Sequence, residues 1–187
     1  MASNTDNSGK RRGSRWRLWG WGIAALLLLL PLVAMQFTDE VNWDETDFIF
    51  AGVLIGGVGV MYELAVRMTG NYAYRAAVGL ALAAAFLLIW MNLAVGIIGN
   101  EDNPLNLMYG GVLAVALIGG LVARFEPEGM ARAMIAAAIA QGLVSLIALL
   151  AGYFTLVLAA FFMALWLISA ALFRKAAREQ TTVREAP

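Results

Sequence analysis

Cysteine and histidine are both absent from this chain, and losing both side chains removes most catalytic options. Haem, iron–sulfur, copper and typical zinc sites draw on those ligands, and Ser-His-Asp and Cys-His nucleophilic systems need them as well. Disulfides are excluded too, so no face of the molecule is stapled in that way. Charge is scarce, at 14% of residues. No glycine-rich phosphate loop of the GxxxxGK type occurs, and no spaced carboxylate motif of the kind a lipid-phosphate transferase needs. The expectation is a chain with no catalytic residue, no cofactor and no resident metal.

What the chain has instead is apolar length. Hydrophobic residues make up 61% of its 187 residues, and the mean hydropathy is +0.75, far outside the range of soluble domains. About 20 predominantly apolar residues cross a hydrocarbon core of about 30 Å at 1.5 Å per residue. Six stretches qualify, at 18–37, 48–68, 74–99, 105–125, 130–150 and 154–173. The pattern predicts an all-α membrane protein, a bundle of six transmembrane helices with both termini cytoplasmic. Residues 1–17 are expected to form a basic, disordered cytoplasmic tail, 18–173 the membrane domain, and 174–187 a cytoplasmic C-terminal tail. Only AGYFT separates the fifth and sixth stretches, which leaves a re-entrant or strongly tilted arrangement there as a minor alternative.

The first stretch follows the basic segment KRRGSRWR, as a secretory signal would. Its apolar length exceeds the roughly 7 to 15 residues of a signal h-region, and no A-x-A-like cleavage site follows it. It reads as an uncleaved signal anchor, bent near Pro31, where proline removes a helical hydrogen bond.

Orientation follows from the bases. Lys10, Arg11, Arg12, Arg15 and Arg17 precede the first stretch; Arg67 and Arg75 flank one turn, Arg124 and Arg132 another; Arg174, Lys175, Arg178 and Arg184 follow the last. That accounts for all 13 Lys and Arg, while the intervening segments 38–47 and 100–106 hold seven acids and no base. Basic loops stay in the cytoplasm. The basic N-terminal segment is therefore explained by topology and by attraction to anionic headgroups, and no nucleic-acid partner is expected.

Polar side chains inside the apolar stretches are the candidate site. Glu63 lies about five residues from the inner end of the second stretch, roughly 7 Å below the interface, and Arg67 follows at i+4 in the favourable acid-first order. A structural Glu63–Arg67 pair is the better reading; a functional acid is the alternative, since intramembrane carboxylates are site hypotheses by default. Asn92 lies in the outer third and Gln141 near the middle of the membrane, with Ser145 one turn away on the same face. Helix-to-helix hydrogen bonding accounts for both amides. If their helices face one another, Glu63, Gln141 and Asn92 instead form a polar ladder. A second candidate is the external segment, where Asn100, Glu101, Asp102, Asn103 and Asn106 crowd oxygen atoms beside a helix start. There Pro104 suits the first turn and Asn103 a cap. A solvated, capped turn is the plainer account, and a site for a hard cation or a partner the sharper one. Small residues at Gly52 and Gly56, Ala116 and Gly120, and Ala136 and Ala140 suit close helix packing.

The stretches YELA, NYAYRA, NLAVGIIG and EDNPLNLMY, within residues 42–150, resemble a family of small uncharacterised bacterial multi-pass membrane proteins. The resemblance implies a bacterial inner-membrane location, and no activity and no site residue; the chain departs from the family between the fifth and sixth spans, where the family's external loop is longer than AGYFT. Three function classes follow. The first is a non-enzymatic accessory or structural subunit whose partners are the lipid bilayer and a membrane protein or a second copy. The alternative is a small proton-coupled transporter or permease using Glu63 and the ladder through Gln141 and Asn92. Least supported is a lipid-modifying enzyme, which would need the acidic loop or Glu126 and Glu128 to gather a metal.

Overall fold

The computed structural model describes residues 6–38 and 41–185. Among these the chain is all-helical, with six α-helices, one 3₁₀ turn and no strand: α1 (Asp6–Ala34), α2 (Glu45–Met68), α3 (Tyr72–Ala94), the turn Pro104–Leu107, α4 (Met108–Val122), α5 (Pro127–Leu150) and α6 (Leu156–Glu185). Five segments are long and apolar enough to cross a membrane: α2, α3, the 3₁₀ turn continued into α4, α5 and α6. The apolar part of α1 described, Gly20–Ala34, is shorter. The molecule is thus a multi-pass membrane protein by helix length and composition. It divides into two units, residues 1–63 and 64–187.

In the first unit α1 begins at Asp6, where a disordered tail was expected to run to residue 17. Lys and Arg are good helix formers, and nothing in this segment breaks a helix beyond isolated glycines. Pro31 lies inside α1, and the helix closes in a turn where the amide of Thr38 bonds Ala34 O at 3.1 Å. The start of α2 is fixed by DETD. Asp44 Oδ1 accepts from the amides of Thr46 and Asp47, and Asp47 Oδ2 accepts from the amide of Asp44 in return. This reciprocal arrangement is a capping box, and the edge-on contact of Trp43 with Phe48 at 5.3 Å is its hydrophobic staple. The acids Glu45 and Asp47 also suit the positive end of the helix dipole. α1 and α2 run antiparallel: a Cβ on Gly52 would meet Leu28 at 3.8 Å, and one on Gly59 would meet the Trp21 ring at 3.1 Å. Gly59 thus leaves the space that the Trp21 indole fills.

The second unit is built around α5, which packs between α4 and α6, while α3 lies against α6. Small residues set the α4–α5 distance. A Cβ on Gly119 would come within 2.7 Å of the Ala133 Cβ, and one on Gly129 within 2.6 Å of the Ala123 Cβ. Close approach of this kind drives association where lipid removes the hydrophobic advantage of burial. The face of α5 that packs runs through Ala133, Met134, Ala137, Ala138, Gln141 and Ala148, at helical spacing. Ala136, expected in that role, is exposed.

Three helix ends depart from hydropathy. α3 stops at Ala94 rather than at residue 99, because Gly96 and Gly99 adopt positive φ, and a Cβ on Gly96 would collide with the backbone carbonyl of Asn100. α4 stops at Val122 rather than 125. The Phe125 amide bonds Gly120 O and the Arg124 amide bonds Leu121 O, which is a Schellman motif made with Arg124 at φ 49° and Phe125 at φ 60°. α6 continues unbroken through 174–185, so the expected C-terminal tail is a helical extension. The AGYFT turn is a second Schellman motif, with Gly152 at φ 89° and the Tyr153 amide on Ala148 O at 2.9 Å. It joins two helices that are each long and apolar enough to cross a membrane.

Candidate functional site

Two ends and one interior layer of the second unit carry its polar chemistry. At one end, Asn71 caps α3 by accepting from the Tyr74 amide, and its Nδ2 donates to Glu179 of α6 at 2.8 Å. Tyr74 donates from its hydroxyl to Phe125 O at 2.7 Å and meets the Phe173 ring edge-on at 5.1 Å. The α2–α3 turn, the α4–α5 turn and α6 from Phe173 onward therefore meet at this end. So do Arg67, Arg75, Arg124, Arg132, Arg174, Lys175 and Arg178, by their places in those segments. Arg75 does not wait for an acid. Its Nε bonds Thr69 O and its Nη2 bonds Val66 O, both at 2.8 Å. It thereby satisfies carbonyls that the C-terminus of α2 leaves open. Glu128, one of the acids a metal site would need, pairs with Arg132 at 3.4 Å on the surface.

The opposite end carries the external-loop candidate. Asn103 caps the 3₁₀ turn by accepting from the Leu105 amide at 3.0 Å, and Pro104 follows in the first turn as expected. Asn106 is fully committed. Its Oδ1 accepts from the amides of Ile97 and Ile98, and its Nδ2 donates to Ile98 O and Asn100 O. One amide thus satisfies the irregular backbone that carries the buried Ile97 and Ile98, as non-helical chain near a membrane requires. Two of the oxygen atoms that crowd this segment in the sequence are spent on the turn. Glu101 and Asp102 are exposed, and among the described residues no group of three His, Cys, Asp or Glu is placed to hold a metal ion.

The interior layer was only half visible in the sequence. Gln141 is 0% exposed, and neither its Oε1 nor its Nε2 has a partner among the described residues. The same holds for Asn92 Oδ1, the Tyr109 hydroxyl and Trp166 Nε1. Asn92 Nδ2 bonds back to Leu88 O of its own helix at 2.8 Å. Helix register places three of these side chains, Tyr109, Gln141 and Trp166, close in height. Gly142 faces Met163 across α5 and α6, which sets Trp166 within about a turn of Gln141. Gly119 opposite Ala133 puts Tyr109 level with residue 143. Ser169 Oγ bonds Ala77 O at 2.9 Å, which puts Asn92 level with Thr155, itself bonded to Ser145 at 3.0 Å. Three helices therefore bring unpartnered polar atoms of Tyr109, Gln141 and Trp166 into a layer roughly 6 Å deep, and Asn92 lies beyond it toward the Asn103 end. Tyr109, Thr155 and Trp166 were missed at sequence level: Tyr109 and Thr155 stand near helix starts, and the indole of Trp166 is mostly apolar and blends into its stretch.

Glu63 belongs to the first unit. There the Trp21 indole, seated over Gly59, donates to Glu63 Oε2 at 3.4 Å, a partner that no pattern along α2 alone reveals. Arg67 follows one turn on in the same helix. Asn92 and Gln141 lie in the second unit, on α3 and α5. Compared with known proteins, the chain matches no family model, no curated protein and no solved structure.

Proposed function

We propose that this chain is a non-enzymatic accessory or structural subunit of a bacterial inner-membrane assembly, with six membrane spans and both termini in the cytoplasm. The observation that carries the reading is the packing of the second unit. Ala77, Ala84, Ala131, Ala137, Ala148 and Ala176 are fully buried, and α4 meets α5 through glycine–alanine contacts too close for a single added methyl group. Such an interior suits a scaffold that holds its shape. A carrier needs room to pass a solute.

The orientation is supported by the gathering of bases at one end of the second unit. Within the first unit, α1 antiparallel to α2 turns the basic start of α1 toward the Glu63 end of its neighbour. Positive loops on the cytoplasmic side then make the Asn100–Asn106 segment external. From residue 18 to Ala34, α1 supplies about 25 Å of helix, near the lower limit for a span. Open glycines are consistent with a helix partner, since a Cβ on Gly110 or Gly111 of α4 would meet nothing within 4 Å.

A second reading, a small proton-coupled transporter, draws on the unpartnered buried atoms of Asn92, Tyr109, Gln141 and Trp166. Purification from native membranes in a mild detergent, followed by mass spectrometry of what comigrates on a native gel, separates the two. The subunit reading expects a stoichiometric membrane-protein partner. A homo-oligomer that moves protons in proteoliposomes, and stops doing so with Glu63→Gln, overturns it.

A further inference from the structure

A groove of about 480 Å³ opens at the basic end of the second unit, between α5 and α6. Its floor is apolar, formed by Ile135, Leu167 and Ala171, and its rim is cationic, formed by Arg174, Lys175 and Arg178. The arrangement follows from the sequence of α6. Positions 167, 171, 174 and 178 recur at i, i+4, i+7 and i+11, a single helical stripe that changes from apolar to basic half-way along. The change falls where a membrane surface would cut the helix. Residues 156–173 account for about 27 Å at 1.5 Å per residue, close to the ~30 Å hydrocarbon core, so Arg174 and Arg178 stand at headgroup level.

The three cations are not equivalent. Lys175 Nζ lies 3.9 Å from Glu179, and Glu179 is also held by Asn71. Among the described residues no acid is paired with Arg174 or Arg178. Two guanidinium groups one turn apart present forked donors that match phosphate oxygens in pairs, and basic pockets between spanning helices on the cytoplasmic side suit anionic headgroups. From this geometry we infer that the α5–α6 groove is a binding site for an anionic glycerophospholipid. The phosphodiester sits between Arg174 and Arg178, and an acyl chain lies along Ile135, Leu167 and Ala171. The occupant is a lipid rather than a free phosphate because the cations stand directly above an apolar floor that inorganic phosphate would leave uncovered.

Native mass spectrometry of the detergent-purified full chain tests this, with phosphatidylglycerol or phosphatidylcholine added at equal concentration. The expected result is retained phosphatidylglycerol adducts and few phosphatidylcholine adducts, with a loss of about tenfold in the former for Arg174→Gln with Arg178→Gln. Arg124→Gln with Arg132→Gln removes the same charge from the same end outside the groove, and should leave binding within twofold. Equal losses in both double variants, or equal retention of both lipids, would overturn the proposal by making the effect one of general charge. Displacement by inorganic phosphate alone would overturn the acyl-chain part. If the Arg174/Arg178 variant does not fold, the single Arg178→Gln variant and the thermal shift of the unmodified chain with rising phosphatidylglycerol decide; no shift contradicts the site.

Discussion

Replacing Gln141 with methionine should make this protein more stable, and the reason lies in what the amide lacks. Gln141 is fully buried, and both polar atoms of its side chain are without partners among the described residues. A buried amide that makes no hydrogen bond costs about 1–3 kcal/mol on the scale of protein mutational data. Methionine keeps the unbranched shape, and volume-conserving core changes usually cost less than about 1.5 kcal/mol. The net expectation for Gln141→Met is a gain of about 1–2 kcal/mol, which at roughly 2–4 °C per kcal/mol for a chain of this size is an upward Tm shift of about 2–8 °C. Thermal unfolding in detergent micelles, followed by tryptophan fluorescence, reads it directly. Tyr109→Phe and Trp166→Phe belong in the same series, because each deletes one unpartnered polar atom from the same layer. Independent sites predict shifts that add; strong coupling means that the groups share a partner. A fall in Tm of similar size for Gln141→Met would refute the reasoning, since it would show that the amide is satisfied by something the chain does not supply, as the transporter reading needs.

Three further expectations rest on separate contacts. Arg124→Gly relieves a left-handed conformation that glycine adopts freely, and should raise stability by about 0.5–1 kcal/mol in the same unfolding assay. Asn106→Ala removes four hydrogen bonds from the 95–103 backbone and should cost about 2–4 kcal/mol at roughly 1 kcal/mol each. Asn106→Asp, which keeps both accepting bonds, should cost less, and limited proteolysis of that loop should rank the two in the same order. If Glu63 and Arg67 stabilise each other, Glu63→Gln together with Arg67→Gln should be less harmful than the sum of the single changes; additive losses would leave Trp21 as the partner that matters to Glu63.

Much of the fold can be read from the chain because length and capping are local. DETD before Phe48 and Asn103-Pro104 before Leu105 are start signals with a mechanism, and both operate as such. Helix ends were harder, because hydropathy cannot tell an apolar helix from an apolar loop. Ile97 and Ile98 extend the third hydrophobic run although they sit in irregular chain, and only Asn106, eight or nine residues on, makes that possible. The end of α4 was hidden for a different reason: a Schellman turn normally announces itself with glycine, and here Arg124 and Phe125 occupy the left-handed positions. Of the candidate site, Glu63, Asn92 and Gln141 stood out because polar groups are rare in these stretches. Trp21, Tyr109 and Trp166 did not, since their part depends on helix register and not on spacing along one helix. The groove on α6 lay open in the sequence as a stripe of apolar and then basic positions; its neighbour Ile135, some thirty residues earlier, needed the fold.

The most direct test of the account is the side of the membrane on which each end of the molecule lies, and a chain without cysteine is well suited to it. Single cysteines at Ser14, Thr46, Asp102 and Thr181 can be labelled in intact spheroplasts with a membrane-impermeant maleimide, and again after permeabilisation. The account predicts immediate labelling at Thr46→Cys and Asp102→Cys, and labelling of Ser14→Cys and Thr181→Cys only after permeabilisation. Labelling of Ser14→Cys from outside together with Thr46→Cys would mean that α1 does not cross and the chain has five spans. Reversal at Asp102→Cys and Thr181→Cys would contradict the basic-end-inside orientation on which the proposed function stands.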